Sequence, residues 1–162
     1  MKSRSFRFFL SFFAICLLAA CQTPTGLTAE QIIVLKDNGF TETESGWELN
    51  LESRLLFDIS SAELNQQERV SLDKIARTLL SVQITNIVIE GHTDSTGTMA
   101  YNRELSRKRA SIVANYLASV GMPADRMQIK GMGSDVPIAS NKTLAGRKEN
   151  RRTVIIIPVP GQ

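Results

Sequence analysis

Apolar positions along the chain fall into two rhythms that alternate. Thr28-Ala29-Glu30-Gln31 reads as a capping box, in which the threonine and glutamine side chains satisfy each other's backbone N–H groups. It opens a short helix that Gly39 is placed to end. In GWELNLESRLLFD, Trp47, Leu49 and Leu51 alternate with polar residues, the period of an extended strand. Asn65-Gln66-Gln67-Glu68 is a second capping box, and the stripe Leu72, Ile75, Ala76, Leu79 behind it has helical spacing. ITNIVIEG, residues 84–91, is a β-branched run closed by glycine and reads as a mostly buried strand. From about Met99 to Val120 the stripe Leu105, Ile112, Val113, Tyr116, Leu117, Val120 predicts a long amphipathic helix stopped by Gly121. MQIKGMG (127–133) and RRTVIIIPV (151–159) predict two more strands. Short turns between these elements imply right-handed crossovers onto one sheet with helices packed against it. The fold class is therefore α/β, a two-layer sandwich of the order βαβαββ preceded by a short helix.

The front of the chain follows a different rule. MKSRSFR carries Lys2, Arg4 and Arg7, and FFLSFFAICLLAA runs almost wholly apolar up to Cys21. A basic head, an apolar stretch of this length and small residues before a cut site form a secretory leader, too short for a membrane span. Leu18-Ala19-Ala20-Cys21 resembles the bacterial lipobox. That resemblance implies lipidation at Cys21, removal of residues 1–20 and, with Gln22 next, sorting to the outer membrane with the domain facing the periplasm. Residues 21–28 read as a tether reaching at most ~25 Å. Residues 29–50 form the front helix and an extended segment, and 51–162 the main domain.

Processing changes the charge balance. The chain has 19 Lys+Arg against 16 Asp+Glu, and loss of Lys2, Arg4 and Arg7 leaves 16 against 16. A neutral mature chain removes the compositional support for a nucleic-acid partner. Of the two cysteines, Cys16 leaves with the leader and Cys21 takes lipid, so no thiol is left for a disulfide, a zinc site or a nucleophile.

EGHTDSTGTMAYNRELSRKRA, residues 90–110, is where chemistry concentrates. Asp94 lies in a Gly/Ser/Thr loop just beyond a strand, the place where open α/β sheets hold ligands. Thr98 is placed to cap the helix that follows. Arg109 is i+4 from Leu105 and so shares the inward face, whereas Arg103, Arg107 and Lys108 fall at solvated angles. A guanidinium held against a domain needs an acceptor. Two readings stay open on spacing alone. Asp94 and Arg109 pair to brace the loop, or they form a zwitterion receptor in which Arg109 meets a carboxylate and Asp94 an ammonium.

The residues then carry a resemblance. GHTD-S-x-G, YN-x-x-LS-x-x-RA-x-x-V-x-x-YL, Gly131-x-Gly133, Pro137, NKT and Arg147-x-x-Asn150-Arg151-Arg152 together resemble the OmpA C-terminal-like domains, which include peptidoglycan-associated lipoproteins, over about residues 55–157. The resemblance implies non-catalytic peptidoglycan binding through the free D-centre of meso-diaminopimelate in the stem peptide. Asp94 and Arg109 occupy the gripping positions, and Asn102 and Arg151 match supporting ones. Ser60 stands where the family has Asp or Asn. Its backbone N–H is the implied contact with the ligand carboxylate, which serine retains.

LTAEQ, NGFTET, Trp47 and LLF narrow the resemblance to YfiB-type lipoproteins, in which the lipoprotein captures a periplasmic inhibitor and so frees a diguanylate cyclase to make cyclic di-GMP. The apolar patch Ile32, Ile33, Val34, Leu35 then reads as part of an inhibitor-binding face with Phe40 and Trp47 as anchors. The same patch would equally suit packing on its own domain or a homodimer. Release of residues 28–50 would let roughly thirty residues span up to ~100 Å. The other functional class is a plain structural anchor between outer membrane and wall.

No catalytic, metal or cofactor constellation is visible. His92 is the only histidine and reads as a hydrogen-bonded strand-end residue. GMGSD fits neither a nucleophile elbow nor a phosphate loop.

Overall fold

A computed structural model describes residues 26–52 and 64–159. In chain order its elements are α1 (Ala29–Asp37), β1 (Thr41–Thr43), β2 (Gly46–Glu52), α2 (Gln66–Ser81), β3 (Ile87–His92), α3 (Met99–Ser119), β4 (Met127–Gly133), α4 (Leu144–Asn150) and β5 (Arg152–Ile157). A short 3-10 turn, Ala124–Arg126, leads into β4.

Both capping boxes form. Gln31 N donates to the Thr28 hydroxyl at 3.2 Å while Thr28 N donates to Gln31 Oε1 at 2.8 Å. Asn65 and Glu68 repeat the exchange at the start of α2. Gly39, at φ +84°, takes the left-handed backbone that turns the chain out of α1.

The five strands form one sheet in the order β1-β2-β5-β3-β4. β3 and β4 are parallel, with α3 as their crossover, while β5 runs antiparallel to both β2 and β3. The sheet is therefore mixed. The last strand inserts in the middle because Arg152–Ile157 is buried on both faces, which only a central position allows. The β1 hairpin and α4 are additions that the hydrophobic pattern did not mark. Their stretches, TET and LAGRKEN, carry almost no apolar residues to reveal a period.

The core lies between one sheet face and the helices. Leu72, Ala76 and Leu79 of α2 and Ala110, Val113, Ala114 and Leu117 of α3 pack over Trp47, Leu51, Ile87, Ile89, Ile155 and Ile157. Each large side chain buried in this way contributes on the order of 1.5–3 kcal/mol. α3 lies flush on β3 because Gly91 has no side chain. A Cβ there would fall inside contact distance of the Ser106 carbonyl. Gly91→Ala is thus expected to push α3 off the strand and cost about 3 kcal/mol, read as a lower urea midpoint with an unchanged slope. A wild-type midpoint would show that the helix has room to shift.

The molecule has two poles. The carboxyl ends of β3 and β4, the start of β5 and the amino end of α3 share one of them. α1 docks at the other, roughly 20 Å away along a six-residue strand. There Gln31 Nε2 donates to the Val82 carbonyl at 2.9 Å, just past α2, and Lys36 Nζ lies 5.6 Å from the Trp47 ring centre. Leu35, Phe40 and Trp47 are core residues, Ile32 is half-buried, and Ile33 is 58% exposed. Trp47 also pairs with Ile157 inside the sheet. Release of the whole stretch 28–50 is therefore not an independent event, because residues 46–52 are a sheet strand. Only the part before β1 can leave without opening the sheet. No helix among the described residues is long and apolar enough to cross a membrane.

Candidate functional site

β3 ends at His92, and Thr93 N still donates to the Gly133 carbonyl at 2.8 Å, so the loop that follows starts from a fixed point. Asp94 sits in that loop and is 7% exposed. Its Oδ1 accepts from Thr96 N at 2.8 Å, and its Oδ2 accepts from Arg151 Nη1 at 2.7 Å. The loop's backbone is tied down by Asn102 Nδ2, which donates to the Asp94 carbonyl at 3.3 Å, and Thr98 caps α3 by accepting from Tyr101 N.

Arg109 is 6% exposed, in the third turn of α3. The reason differs from the sequence expectation. Leu105 is only half-buried, and the inward face of this half of α3 is Asn102, Ser106, Arg109 and Ala110. Of these, Asn102 bonds to the Asp94 loop, Arg109 lies within electrostatic reach of Asp94, and Ser106 accepts from Gly133 N at 2.9 Å to hold the neighbouring strand end. Arg103, Arg107 and Lys108 are exposed as expected, and Arg103 pairs with Asp135 on the surface.

The electrostatics follow from three charges at one pole. Burial alone would raise the Asp94 pKa, but the Arg151 and Thr96 hydrogen bonds outweigh it and hold the carboxyl below its ordinary value. Burial, and then the nearby positive charge of Arg151, lower the pKa of Arg109, while Tyr101 and Asp94 act the other way. The guanidinium stays protonated at any physiological pH. Asp94 thus accepts from one guanidinium, that of Arg151, and lies within the electrostatic reach of a second, that of Arg109, at a fixed, partly desolvated place.

The bracing pair suggested by spacing takes a different form, since the carboxylate of Asp94 hydrogen-bonds to Arg151, 57 residues away. Sequence reasoning had placed Arg151 only as a supporting position. The expected site residues Asp94, Arg109, Asn102 and Arg151 come together at this pole. Ser60 and Cys21 lie outside the described residues. The front residues Ile32, Ile33, Leu35, Phe40 and Trp47 lie at the far pole and take no part in this site.

His92 is buried behind the loop, but among the described residues its Nδ1 has no hydrogen-bond partner, and its Nε2 lies 3.7 Å from Glu90, too far for a bond. Burial, helped by the positive Arg152, pushes its pKa down to about 4, so the ring is neutral near pH 7. Among the described residues no group of three or more His, Cys, Asp or Glu side chains could hold a metal ion.

Comparison with known proteins agrees with the fold. Residues 56–151 match the model of the OmpA family. The outer-membrane lipoprotein YfiB of Pseudomonas aeruginosa is 47% identical over 153 residues, 92% of this chain and 91% of that one. The putative lipoprotein YfiB of Escherichia coli is 38% identical over 150 residues, 91% of this chain and 94% of that one. Among solved structures, the peptidoglycan-associated lipoprotein from Burkholderia pseudomallei superposes with a TM-score of 0.58 at 31% identity, covering 63% of this chain and 86% of the other. The chain belongs to the OmpA family and is an outer-membrane lipoprotein related to YfiB.

Proposed function

We propose that the domain binds peptidoglycan without cleaving it, by gripping the free zwitterionic end of meso-diaminopimelate in a stem peptide. The observation that carries this reading is the pole where Asp94 and Arg109, each more than nine-tenths buried, meet Arg151. Arg109 offers a carboxylate two parallel N–H groups. Asp94 accepts from Thr96 and Arg151, and the remaining acceptor capacity of a carboxylate can take an ammonium. The backbone N–H of Ser60 is a further ligand contact in this reading, and lipid on Cys21 holds the domain at the outer membrane. Affinity at one small site is modest, but the wall is a polymer of repeated ligands and the anchor confines the domain beside it, so effective concentration raises occupancy. The name of the Burkholderia relative, peptidoglycan-associated lipoprotein, supports the same ligand class.

The test is calorimetry of residues 22–162 with a meso-diaminopimelate tripeptide muropeptide, beside Asp94→Ala and Arg109→Ala. Wild-type heat that either variant loses supports the receptor. No heat from wild type, or equal heat from both variants, overturns it.

We further propose that the front of the chain captures a periplasmic inhibitor protein and so releases a diguanylate cyclase for cyclic di-GMP synthesis. The relationship to YfiB supports this, as does Ile33, an exposed apolar residue beside buried Leu35. Leu35 and Phe40 become available to a partner only when α1 leaves its pole. Trp47, fixed in the sheet, contributes by losing its cover. Their burial in the docked form favours a plain envelope anchor as the resting role. A short bis-maleimide bridge between Gln31→Cys and Val82→Cys, spanning the gap that the glutamine side chain now crosses, should hold α1 down. Bridged protein is expected to bind the inhibitor at least tenfold more weakly than the same variant left unbridged. Equal binding would mean that α1 need not move.

A further inference from the structure

Asn150 has no exposed surface and uses its whole amide. Its Oδ1 accepts from the backbone N–H groups of Ile138 and Ala139, at 2.8 and 3.0 Å. Backbone N–H can only donate, so the orientation of this amide is fixed and its other branch must be the NH2. That NH2 donates to the Ala139 carbonyl and to the side chain of Asn141, both at 2.9 Å.

The constraint passes to the next residue. The Asn141 atom facing the Asn150 NH2 must be its oxygen, and the same oxygen accepts from Ser95 N at 3.2 Å. Two donors converge on Oδ1, and neither can be satisfied by nitrogen. The Asn141 NH2 therefore projects from the opposite branch, next to the Asp94 loop. It donates to no protein acceptor among the described residues, and Asn141 is only half-buried. The bracket that holds it is stiff. Arg147 Nη1 donates to the Asn141 carbonyl at 2.8 Å, Thr143 caps α4, and Gly146 lets that helix lie directly on the Ser140 backbone.

We propose that Asn141 is a ligand-contacting residue, its side-chain NH2 donating to an oxygen of the wall peptide that lies against Asp94. This rests on the peptidoglycan reading and deepens it. The site then has a neutral donor beside two charged ones, which suits a carbonyl or carboxylate oxygen. Asn150 is the positioning residue that fixes which way this donor points.

Asn141→Asp separates contact from bracing, because aspartate keeps an oxygen for Ser95 N and Asn150 but turns the donor branch into an acceptor. Asn141→Ala removes both. Lys142→Gln, at the exposed neighbour, makes the same unit change in charge without touching the bracket. Muropeptide affinity, thermal midpoint and hydrogen exchange of the Ser95 amide are read for each. Asn141→Asp and Asn141→Ala should both lose at least tenfold in affinity. Lys142→Gln should lose less than threefold, and Asn141→Asp should keep wild-type melting and Ser95 protection. Three results overturn the contact: wild-type affinity in Asn141→Asp, an equal loss in Lys142→Gln, or lost Ser95 protection in Asn141→Asp. If wild type itself binds no muropeptide, or Arg109→Ala binds as well as wild type, the peptidoglycan reading fails first and this contact with it.

Discussion

Replacing Arg109 with alanine is expected to lower muropeptide affinity by about a hundredfold or more. Charge-assisted hydrogen bonds contribute ~1.5–3 kcal/mol each, and a parallel pair therefore ~3–6 kcal/mol, with 1.4 kcal/mol worth a factor of ten. The loss should fall on binding more than on folding. Asp94 keeps both Arg151 and Thr96 in this variant, so its carboxylate is not orphaned. Asp94→Ala is the less clean probe, because it leaves Arg109 and Arg151 near each other with no carboxylate between them. Arg109→Lys should land between wild type and alanine, since lysine keeps the charge and loses the fork. Titration calorimetry beside a thermal melt separates the two effects. Unchanged affinity in Arg109→Ala would reduce Arg109 to a structural cation.

The second large effect is on acid stability, and it belongs to His92. The ring is 2% exposed, with Glu90 of β3, Lys130 of β4 and Arg152 of β5 around it. Its pKa falls from 6.5 in an open chain to about 4 in the fold. The unfolded chain thus takes up a proton below pH 6.5 that the folded chain refuses until about pH 4. Stability is full above 6.5 and declines through this window by a total of roughly 3 kcal/mol. Asp94 works lower down, because its depressed pKa gives stability that is lost only as pH falls below the ordinary carboxylate value. Glu68 works against His92, since burial raises its pKa and its contribution grows as pH falls towards 4.5. The informative quantity is therefore the difference between wild type and His92→Gln in urea unfolding at pH 7 and 4.5. Wild type should lose about 2–3 kcal/mol more than the variant over that interval. Equal losses would place the acid sensitivity in the carboxylates.

What could be read from the sequence was local. The boxes at Thr28 and Asn65 are exchanges between residues three apart, and both form as their letters suggest. α3 runs from Met99 to Ser119 because its apolar stripe and Thr98 cap lie within a few turns of each other. The inward turn of Arg109 was anticipated, but through the wrong neighbour. Leu105 is half-exposed, and the true inward face at that end is polar because Asn102 and Ser106 bond to the Asp94 loop and the end of β4. Contacts across long separations left no periodic trace. The Arg151 bond to Asp94 depends on β5 entering the middle of the sheet, which no short window of sequence specifies. Asn141 and Asn150 lie inside the motif that carried the family resemblance, yet their roles depend on which amide oxygen faces which N–H. His92 was expected to be hydrogen-bonded, and its burial without a partner at Nδ1 follows from packing against Arg152 and Glu90.

The placement of α1 at the pole opposite Asp94 also has a mechanical meaning. On the proposed function, with lipid ahead of α1 and the wall at the Asp94 loop, tension would enter through α1 and leave at that loop. The rungs joining β2, β5 and β3 lie across that line and share the load in parallel. The contacts of α1 are met one after another: the Gln31–Val82 hydrogen bond, the burial of Leu35, then that of Phe40. Elements loaded in series yield before elements loaded in shear. Peeling the nine residues of α1 from helix to extended chain lengthens the link by roughly 15 Å. On that function the front helix would act as a strain relief, giving slack to a stretched envelope while the sheet and the grip on the wall stay intact.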